Sequence, residues 1–139
     1  HRLVPYLYHT ACQSHQSGIP MIRPLVMEYP KDPIAKTQNL SYMLGDALLI
    51  SPGFDRDEYE LYLPEGRWQD IESKEVYEGM TFVHIENKAF ADGGTSLRVF
   101  QKEGTSIPLF AQKEVLHVPA QLWKQEDLEF MTFQKKDVD

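Results

Sequence analysis

The stretch YMLGDALLISP, residues 42–52, decides the fold, because the pattern of the sequence changes at its glycine. Residues 47–50 form an apolar run that is typical of a buried strand, and the Pro-Gly pair that follows ends it. Helical and irregular patterns precede Gly45, whereas short strand patterns and turns follow it. The stretch therefore predicts that a β-domain begins at residue 46.

The part of the chain after residue 46 predicts an antiparallel sandwich or barrel. Polar and apolar residues alternate over 58–63, as in a strand with one exposed face. Turns separate further short strand patterns at 67–71, 76–77, 81–85, 97–101, 106–110 and 128–133. Strands of this length and spacing are typical of antiparallel folds.

The first part predicts a helix, a strand and a second short helix. Residues 2–17 carry apolar side chains in two rows spaced four residues apart, and Gly18 is well placed to end the helix. Residues 19–27 are apolar, but their prolines exclude a helix and favour an interrupted strand. A short helical piece is expected at 39–44. We therefore expect a mainly β protein with a helix–strand–helix unit before the sandwich.

Composition narrows the class of protein. The 139 residues include 14 basic and 21 acidic side chains, and the net charge of −7 argues against a nucleic-acid partner. No apolar run approaches the roughly 20 residues that a membrane span requires, so no membrane partner is expected. Cys12 is the only cysteine and cannot form an internal disulfide; we expect it to be buried, in a cytoplasmic protein. The first residues lack an initiator Met and look like a cut end.

Histidine and cysteine spacing does not predict a metal site. His9 and His15 are six residues apart, so on one helix their side chains diverge by roughly 120°. Cys12 and His15 can share a helix face, but two ligands do not make a site. His84 and His117 have no partner nearby in sequence. We therefore expect neither a metal nor another cofactor.

Carboxylates offer two weaker hypotheses. Residues 55–78 carry nine acidic side chains, which we expect to form a solvated face; a cation site is the alternative. Asp46 is the best-placed candidate for a general acid or base, because it lies between a glycine and a buried strand. We nevertheless expect Asp46 to be structural and to bond nearby backbone amides. The residues alone identify no catalytic site.

Four aromatic residues are candidates for sugar binding. Trp68 follows a turn, and Tyr59, Tyr62 and Tyr77 lie on predicted strands. Exposed rings can bind carbohydrate through their apolar faces, so Trp68 and Tyr62 are the sugar-stacking candidates. The alternative is that the same rings fill the core of a sandwich.

Five blocks of sequence resemble one known family. They are LVPYLY at 3–8, GIPMIRPL at 18–25, YMLGDALLISP at 42–52, YLPEGRWQD at 62–70 and GTSIPL at 104–109. In order and spacing they resemble glycoside hydrolase family 31, the α-glucosidase and α-xylosidase family. The fourth block is similar to a YLPxGxWxD segment of that family, and the fifth to its GSIIPL segment.

The resemblance implies a fragment with three parts. Residues 1–45 would be the end of the catalytic (β/α)8 barrel, with 2–17 as its penultimate helix and 19–27 as its last strand. Residues 46–118 would be the proximal C-terminal β-sandwich, and 119–139 the start of a distal β-domain or a tail. The helix–strand–helix unit would then be a remnant of the barrel.

The resemblance also implies what the fragment lacks. Family members are retaining α-glycosidases with two catalytic aspartates, and retention needs two carboxyl groups about 5–5.5 Å apart. No position here matches either aspartate motif, so no catalytic residue is assigned. Arg23 matches a family arginine in the last barrel strand and is interpreted as an ion-pair residue inside the barrel or at an interface, not as a catalyst. The implied partners are the rest of the parent glycosidase and its oligosaccharide substrate.

The resulting hypothesis is that the fragment closes and supports the barrel and is inactive alone. It predicts an exposed apolar face where the barrel would pack, and with it a tendency to form homo-oligomers. The alternative is a carbohydrate-binding sandwich module without catalysis, which would use Trp68 and its neighbouring tyrosines.

Overall fold

The computed structural model describes residues 4–38, 41–52, 58–71, 73–86, 98–110 and 128–134. Within these ranges the protein is mainly β with antiparallel pairing, which confirms the predicted fold class. The helices are α1 (Val4–Ser17) and α2 (Leu25–Glu28), and a 3₁₀ turn covers Ala35–Thr37. The strands are β1 (Ile22–Pro24), β2 (Tyr42–Leu44), β3 (Leu48–Ser51), β4 (Glu58–Leu63), β5 (Arg67–Asp70), β6 (Val76–Glu78), β7 (Thr81–Glu86), β8 (Arg98–Lys102), β9 (Thr105–Phe110) and β10 (Leu128–Phe133).

The described strands form one six-stranded sheet and two strand pairs. The six-stranded sheet has the order β1-β2-β3-β8-β5-β6, while β4 pairs with β7 and β9 with β10. Leu49 and Phe100 are register partners on one face of the large sheet, and Leu48 and Ile50 lie on the other. All four residues of β3 are buried, so both faces of the sheet are covered at its centre.

Each face of the large sheet has its own hydrophobic core. The first core joins the sheet to the β4–β7 pair and includes Leu25 of α2 and the fully buried Trp68. The second core joins the opposite face to α1 and β9 through Tyr6, Ile107 and Leu109. Burial of apolar surface stabilises by about 25 cal/mol per Å², so these two cores are the main source of stability.

The helix α1 packs closely against the turn between β2 and β3. The Tyr6 hydroxyl donates to the Leu44 carbonyl at 2.5 Å and accepts from the Ala47 amide at 3.2 Å. The Gly45 amide donates to the Met21 carbonyl at 2.8 Å. Gly45 has φ +68°, and a Cβ there would lie 2.5 Å from the Tyr6 hydroxyl. Glycine is therefore required both by backbone conformation and by the approach of the helix.

A hydrogen bond ties the loop after α2 to β4. The Tyr62 hydroxyl donates to Asp32 Oδ2 at 2.6 Å, and Asp32 Oδ1 also accepts from the Ile34 amide at 2.9 Å. The Tyr62 hydrogen bond, with help from backbone N–H groups, holds the pKa of Asp32 below its usual value despite some burial. The ionised carboxylate therefore stabilises this connection.

The N-terminal elements differ from the sequence prediction in two places. The predicted helix at 2–17 is confirmed as α1, but the predicted strand at 19–27 is only the three residues of β1, followed directly by α2. The predicted helical piece at 39–44 is wrong, because residues 42–44 form β2. This strand pairs with β1 on one side and β3 on the other, and that pairing outweighs the local pattern.

The interpretation of β1 as a barrel strand stays a prediction. In the described structure β1 runs antiparallel to β2 within the large sheet. The sheet thus continues across the predicted domain boundary at 45 and 46, and the three domain bounds stay predictions. Residues 92–94, His117 and most of 119–139 lie outside the described residues. No helix in the described ranges is long and apolar enough to span a membrane.

We expect Gly45→Ala to destabilise the protein more than Gly18→Ala. Both glycines have positive φ, where an L side chain costs of order 1–3 kcal/mol. A Cβ at Gly18 meets nothing within 4 Å, whereas one at Gly45 lies 2.9 Å from Thr10 Cγ2 as well as against Tyr6. Overpacking adds about 1–3 kcal/mol. Denaturant unfolding measures the difference, and equal losses would contradict the close packing of α1 on this turn.

We expect Tyr62→Phe to lower the free energy of unfolding by about 1 kcal/mol at pH 7 and to weaken its acid dependence. Because the folded pKa of Asp32 is lowered, its stabilisation is fully present above the unfolded pKa of about 3.9 and is lost as pH falls through the lower folded value. Urea unfolding from neutral pH to pH 2 measures both effects.

The matched control is Tyr77→Phe, which removes an exposed hydroxyl bonded to Glu75 at 2.6 Å and leaves Asp32 untouched. It should keep the acid dependence that Tyr62→Phe weakens. The same pH profile in both variants would mean that Tyr62 does not set the titration of Asp32.

Candidate functional site

The exposed apolar side chains are concentrated at the N-terminal end of the described structure. Of the eleven large apolar residues that are exposed in the described ranges, seven lie within residues 7–34. We call these seven the N-terminal apolar surface: Leu7, Tyr8, Ile19, Ile22, Val26, Met27 and Ile34. They belong to α1, β1, α2 and the adjoining loops, and Ile22 is 61% exposed. Contiguous exposed apolar residues mark interaction surfaces, so these seven are candidates for one.

The helix α1 turns its apolar rows outward. Its buried residues are Pro5, Tyr6 and Thr10, whereas Leu7 and Tyr8 are exposed. Cys12, which we expected to be buried, is exposed as well, because it belongs to the same outward side. The rows that predicted the helix therefore do not form its contact with the two cores.

Arg23 anchors this surface to the sheet. The side chain is buried, and its Nη1 donates to Asp46 Oδ1 at 2.6 Å and to Glu28 Oε1 at 2.8 Å, while Nε donates to the Pro20 carbonyl at 2.6 Å. Burial lowers the pKa of Arg23, but the hydrogen bonds that it donates to Asp46 and Glu28 outweigh this effect and raise the pKa above its usual value. Arg23 is thus a buried ion-pair residue whose partner Asp46 is exposed, and the pair connects α2 with the β2–β3 turn.

The candidate acid Asp46 is an ion-pair partner of Arg23. Its carboxylate accepts a hydrogen bond from Arg23, whereas the sequence suggested hydrogen bonds from nearby backbone amides. His9 and His15 are both exposed on α1, where no described group of three metal donors includes them. Asp46, His9 and His15 do not form part of a catalytic arrangement in the described structure.

Both sugar-stacking candidates lie in the interior. Trp68 is 0% exposed and donates from Nε1 to the Pro64 carbonyl at 2.9 Å. Tyr62 is 1% exposed, and its ring packs against Phe82 with centroids 5.2 Å apart. Tyr59 and Tyr77 are half-buried and pack against the first core. Neither Trp68 nor Tyr62 presents an open ring face to a sugar.

A cavity of about 410 Å³ adjoins the loop after α2. Its walls come from that loop and from two turns, and its lining residues are Glu28, Tyr29, Pro30, Lys31, Asp32, Pro33, Glu65 and Met80. The Tyr29 hydroxyl is buried and has no hydrogen-bond partner among the described residues. Burial, together with the negative charges of Glu28 and Glu65, raises the pKa of Tyr29. A buried hydroxyl without a hydrogen-bond partner lowers the free energy of unfolding by about 1–3 kcal/mol.

The β4–β7 pair brings together four titratable side chains on its outer face. His84 Nδ1 lies 2.8 Å from Glu60 Oε1, and Nε2 lies 3.2 Å from Glu58 Oε2 and 4.0 Å from Glu86 Oε1. The hydrogen bond to Glu60, followed by that to Glu58, raises the pKa of His84. His84 was expected to stand alone, so this cluster corrects the sequence prediction.

Sequence reasoning missed this cluster because its residues come from strands that are not adjacent in the chain. The alternation Glu58–Glu60 on β4 and His84–Glu86 on β7 places each pair on one strand face. Only the register, which pairs Glu58 with Glu86 and Glu60 with His84, brings the four together. Two intervening strands separate β4 from β7, so no hairpin rule predicts that pairing.

Comparisons with known proteins agree on one family. The model of the glycosyl hydrolase family 31 C-terminal domain matches residues 18–114. Human neutral alpha-glucosidase AB is 36% identical over 110 residues, which are 76% of this chain and 11% of that protein. The isomaltosyltransferase of Sporosarcina globispora is 33% identical over 109 residues, 77% of this chain and 10% of that protein. The chain spans about a tenth of the length of these relatives.

Solved structures show the same relationship. A Flavobacterium johnsoniae GH31 dextranase complexed with glucose has a TM-score of 0.74 and 27% identity, covering 97% of this chain and 16% of that chain. The cycloalternan-forming enzyme from Listeria monocytogenes, in complex with its pentasaccharide substrate, has a TM-score of 0.68 and 35% identity over 78% of this chain and 10% of that chain. With a family match over residues 18–114, the chain belongs to glycoside hydrolase family 31, as part of its C-terminal domain.

Proposed function

We propose that the chain is part of a retaining α-glycosidase that hydrolyses terminal α-linked sugars, and that it supports and closes the catalytic barrel. Relatives named as an alpha-glucosidase and a dextranase favour α-linked glucose as the sugar; an α-xyloside is the alternative. The fragment itself is inactive, and the reaction belongs to the rest of the parent enzyme.

The N-terminal apolar surface carries this proposal. Seven exposed apolar side chains lie on two helices, a strand and their loops, where a fully solvated surface would carry charged residues. The strand β1 is also the first strand of the large sheet and has β2 as its described neighbour, so its other edge offers backbone groups for pairing. Both features favour a large apolar partner at this place, and the barrel of the parent enzyme is that partner.

Two polar features support the same assignment. Arg23 is buried among Glu28, Asp46 and the Pro20 carbonyl, which fixes β1 and α2 relative to the sheet and so presents the surface in one geometry. The buried Tyr29 hydroxyl next to the 410 Å³ cavity lacks a partner in the described structure. A polar group of the barrel that enters this cavity would satisfy it.

The isolated chain should not hydrolyse glycosides. We expect no turnover of nitrophenyl α-glucoside or nitrophenyl α-xyloside by the chain, because no position in its sequence matches either aspartate motif of the family. The complete parent enzyme should hydrolyse at least one of the two. Turnover by the isolated chain that a single substitution within it abolishes would overturn the supporting role.

Charged substitutions on the N-terminal apolar surface should damage the parent enzyme but not the isolated chain. Ile22→Glu and Met27→Glu replace exposed side chains, so each should change the unfolding free energy of the isolated chain by less than about 0.5 kcal/mol. In the complete enzyme the same charges would be buried at the barrel interface, and a loss of activity and of thermal stability is expected.

Val76→Glu is the matched control, since Val76 is 44% exposed on β6, at the opposite edge of the large sheet. It should leave the complete enzyme unchanged. We also expect the isolated chain to self-associate through the N-terminal apolar surface, so sedimentation should show that Ile22→Glu reduces its oligomers. Equal effects of the three substitutions on the complete enzyme would contradict the proposed interface.

A further inference from the structure

We infer that Glu58, His84 and Glu86 form a zinc-binding site on the outer face of the β4–β7 pair, with Glu60 as a positioning residue. The three residues each offer one donor atom, and these atoms lie within 4.8 Å of one another. Glu58 and Glu86 are register partners, and His84 precedes Glu86 by two residues, on the same face of β7. The site lies outside the N-terminal apolar surface and is independent of the proposed interface.

One donor distance matches that of a tetrahedral ion and the others are somewhat longer. Zn²⁺ takes nitrogen and oxygen ligands at about 2.0–2.2 Å, which places two tetrahedral ligand atoms about 3.3–3.6 Å apart. His84 Nε2 is 3.2 Å from Glu58 Oε2 and 4.0 Å from Glu86 Oε1. The Glu86 side chain is 56% exposed, and binding requires a rotation that brings its oxygen closer. Water completes the coordination.

Glu60 favours a form of His84 that can bind a metal. When the neutral ring donates from Nδ1 to Glu60 Oε1, 2.8 Å away, its lone pair is on Nε2. That lone pair then faces the Glu58 carboxylate, so two electron-rich atoms lie 3.2 Å apart. Only a proton or a metal ion between them makes this arrangement favourable. A carboxylate on the far nitrogen is also the usual support of a metal-bound histidine.

The charges and donor types favour zinc over other cations. Glu58 and Glu86 are like charges directly opposite each other, which destabilises a strand pair unless positive charge lies beside them, from a protonated His84 or from a bound cation. One imidazole and two carboxylates suit Zn²⁺, whereas Mg²⁺ and Ca²⁺ prefer sets made only of oxygen. The ion would join β4 to β7 and stabilise their pairing.

The test is calorimetric titration of the metal-free 139-residue chain with Zn²⁺ at pH 7.5. We expect one saturable zinc site per chain and a rise in Tm on binding. His84→Ala should abolish that site, and Glu58→Gln and Glu86→Gln should each weaken it. Glu60→Ala should weaken binding by about 10–100-fold, while Glu60→Gln, which keeps an acceptor for Nδ1, should restore most of the affinity.

Two controls separate this site from general surface binding. Glu78→Gln removes an exposed carboxylate from β6, and the double substitution His9→Ala and His15→Ala removes the exposed imidazoles of α1; neither should change the affinity. Zinc affinity that survives in a folded His84→Ala chain would overturn the proposal. So would an absence of saturable binding in a chain whose His84 titrates, by NMR, as a proton site only.

Discussion

The turn between β2 and β3 is the constraint on which the rest of the structure depends. Gly45 lets the Tyr6 hydroxyl reach the Leu44 carbonyl and the Ala47 amide, which attaches α1 to the large sheet. One residue later, Asp46 accepts the hydrogen bond of the buried Arg23. A single turn therefore holds the N-terminal segment in place, and it continues directly into β3, which is buried on both faces.

This constraint explains why apolar residues at the N-terminal end stay exposed. The segment before β2 is attached through polar contacts of Tyr6 and Arg23 and through buried apolar residues such as Leu25, so its exposed apolar side chains are not needed for the attachment. The outward rows of α1, together with Ile22 and Met27, are left for another surface. Because the match covers only about a tenth of a family relative such as human neutral alpha-glucosidase AB, the parent barrel is the surface that we propose.

The sequence predicts the parts of the fold that depend on local pattern. The helix α1, the buried strand β3 and the strand series after it follow from periodicity and turn residues. The pattern cannot show which face of α1 is buried, since that depends on where Tyr6 meets the sheet. Nor can it show that residues 42–44 form a strand, because β1 and β3 impose that pairing from both sides.

For the candidate sites, too, the sequence predicts what is local and misses what depends on the fold. The sequence locates the motif around Trp68. The ring of Trp68 has no exposed surface, however, because Trp68 lies on the side of β5 that faces the first core. Arg23 could be identified as an ion-pair residue, whereas its partner Asp46 lies 23 positions away and needed the three-dimensional structure. The cluster around His84 depends on the register between β4 and β7, which no local signal contains.

The most direct test of the central claim is amide hydrogen–deuterium exchange over residues 19–29, in the isolated chain and in the complete parent enzyme. If the barrel covers the N-terminal apolar surface, exchange in β1 and α2 slows in the complete enzyme, while the β3–β8 pair exchanges at similar rates in both. Equal exchange over residues 19–29 in the two proteins would contradict the account, because the surface would then have no partner in the enzyme.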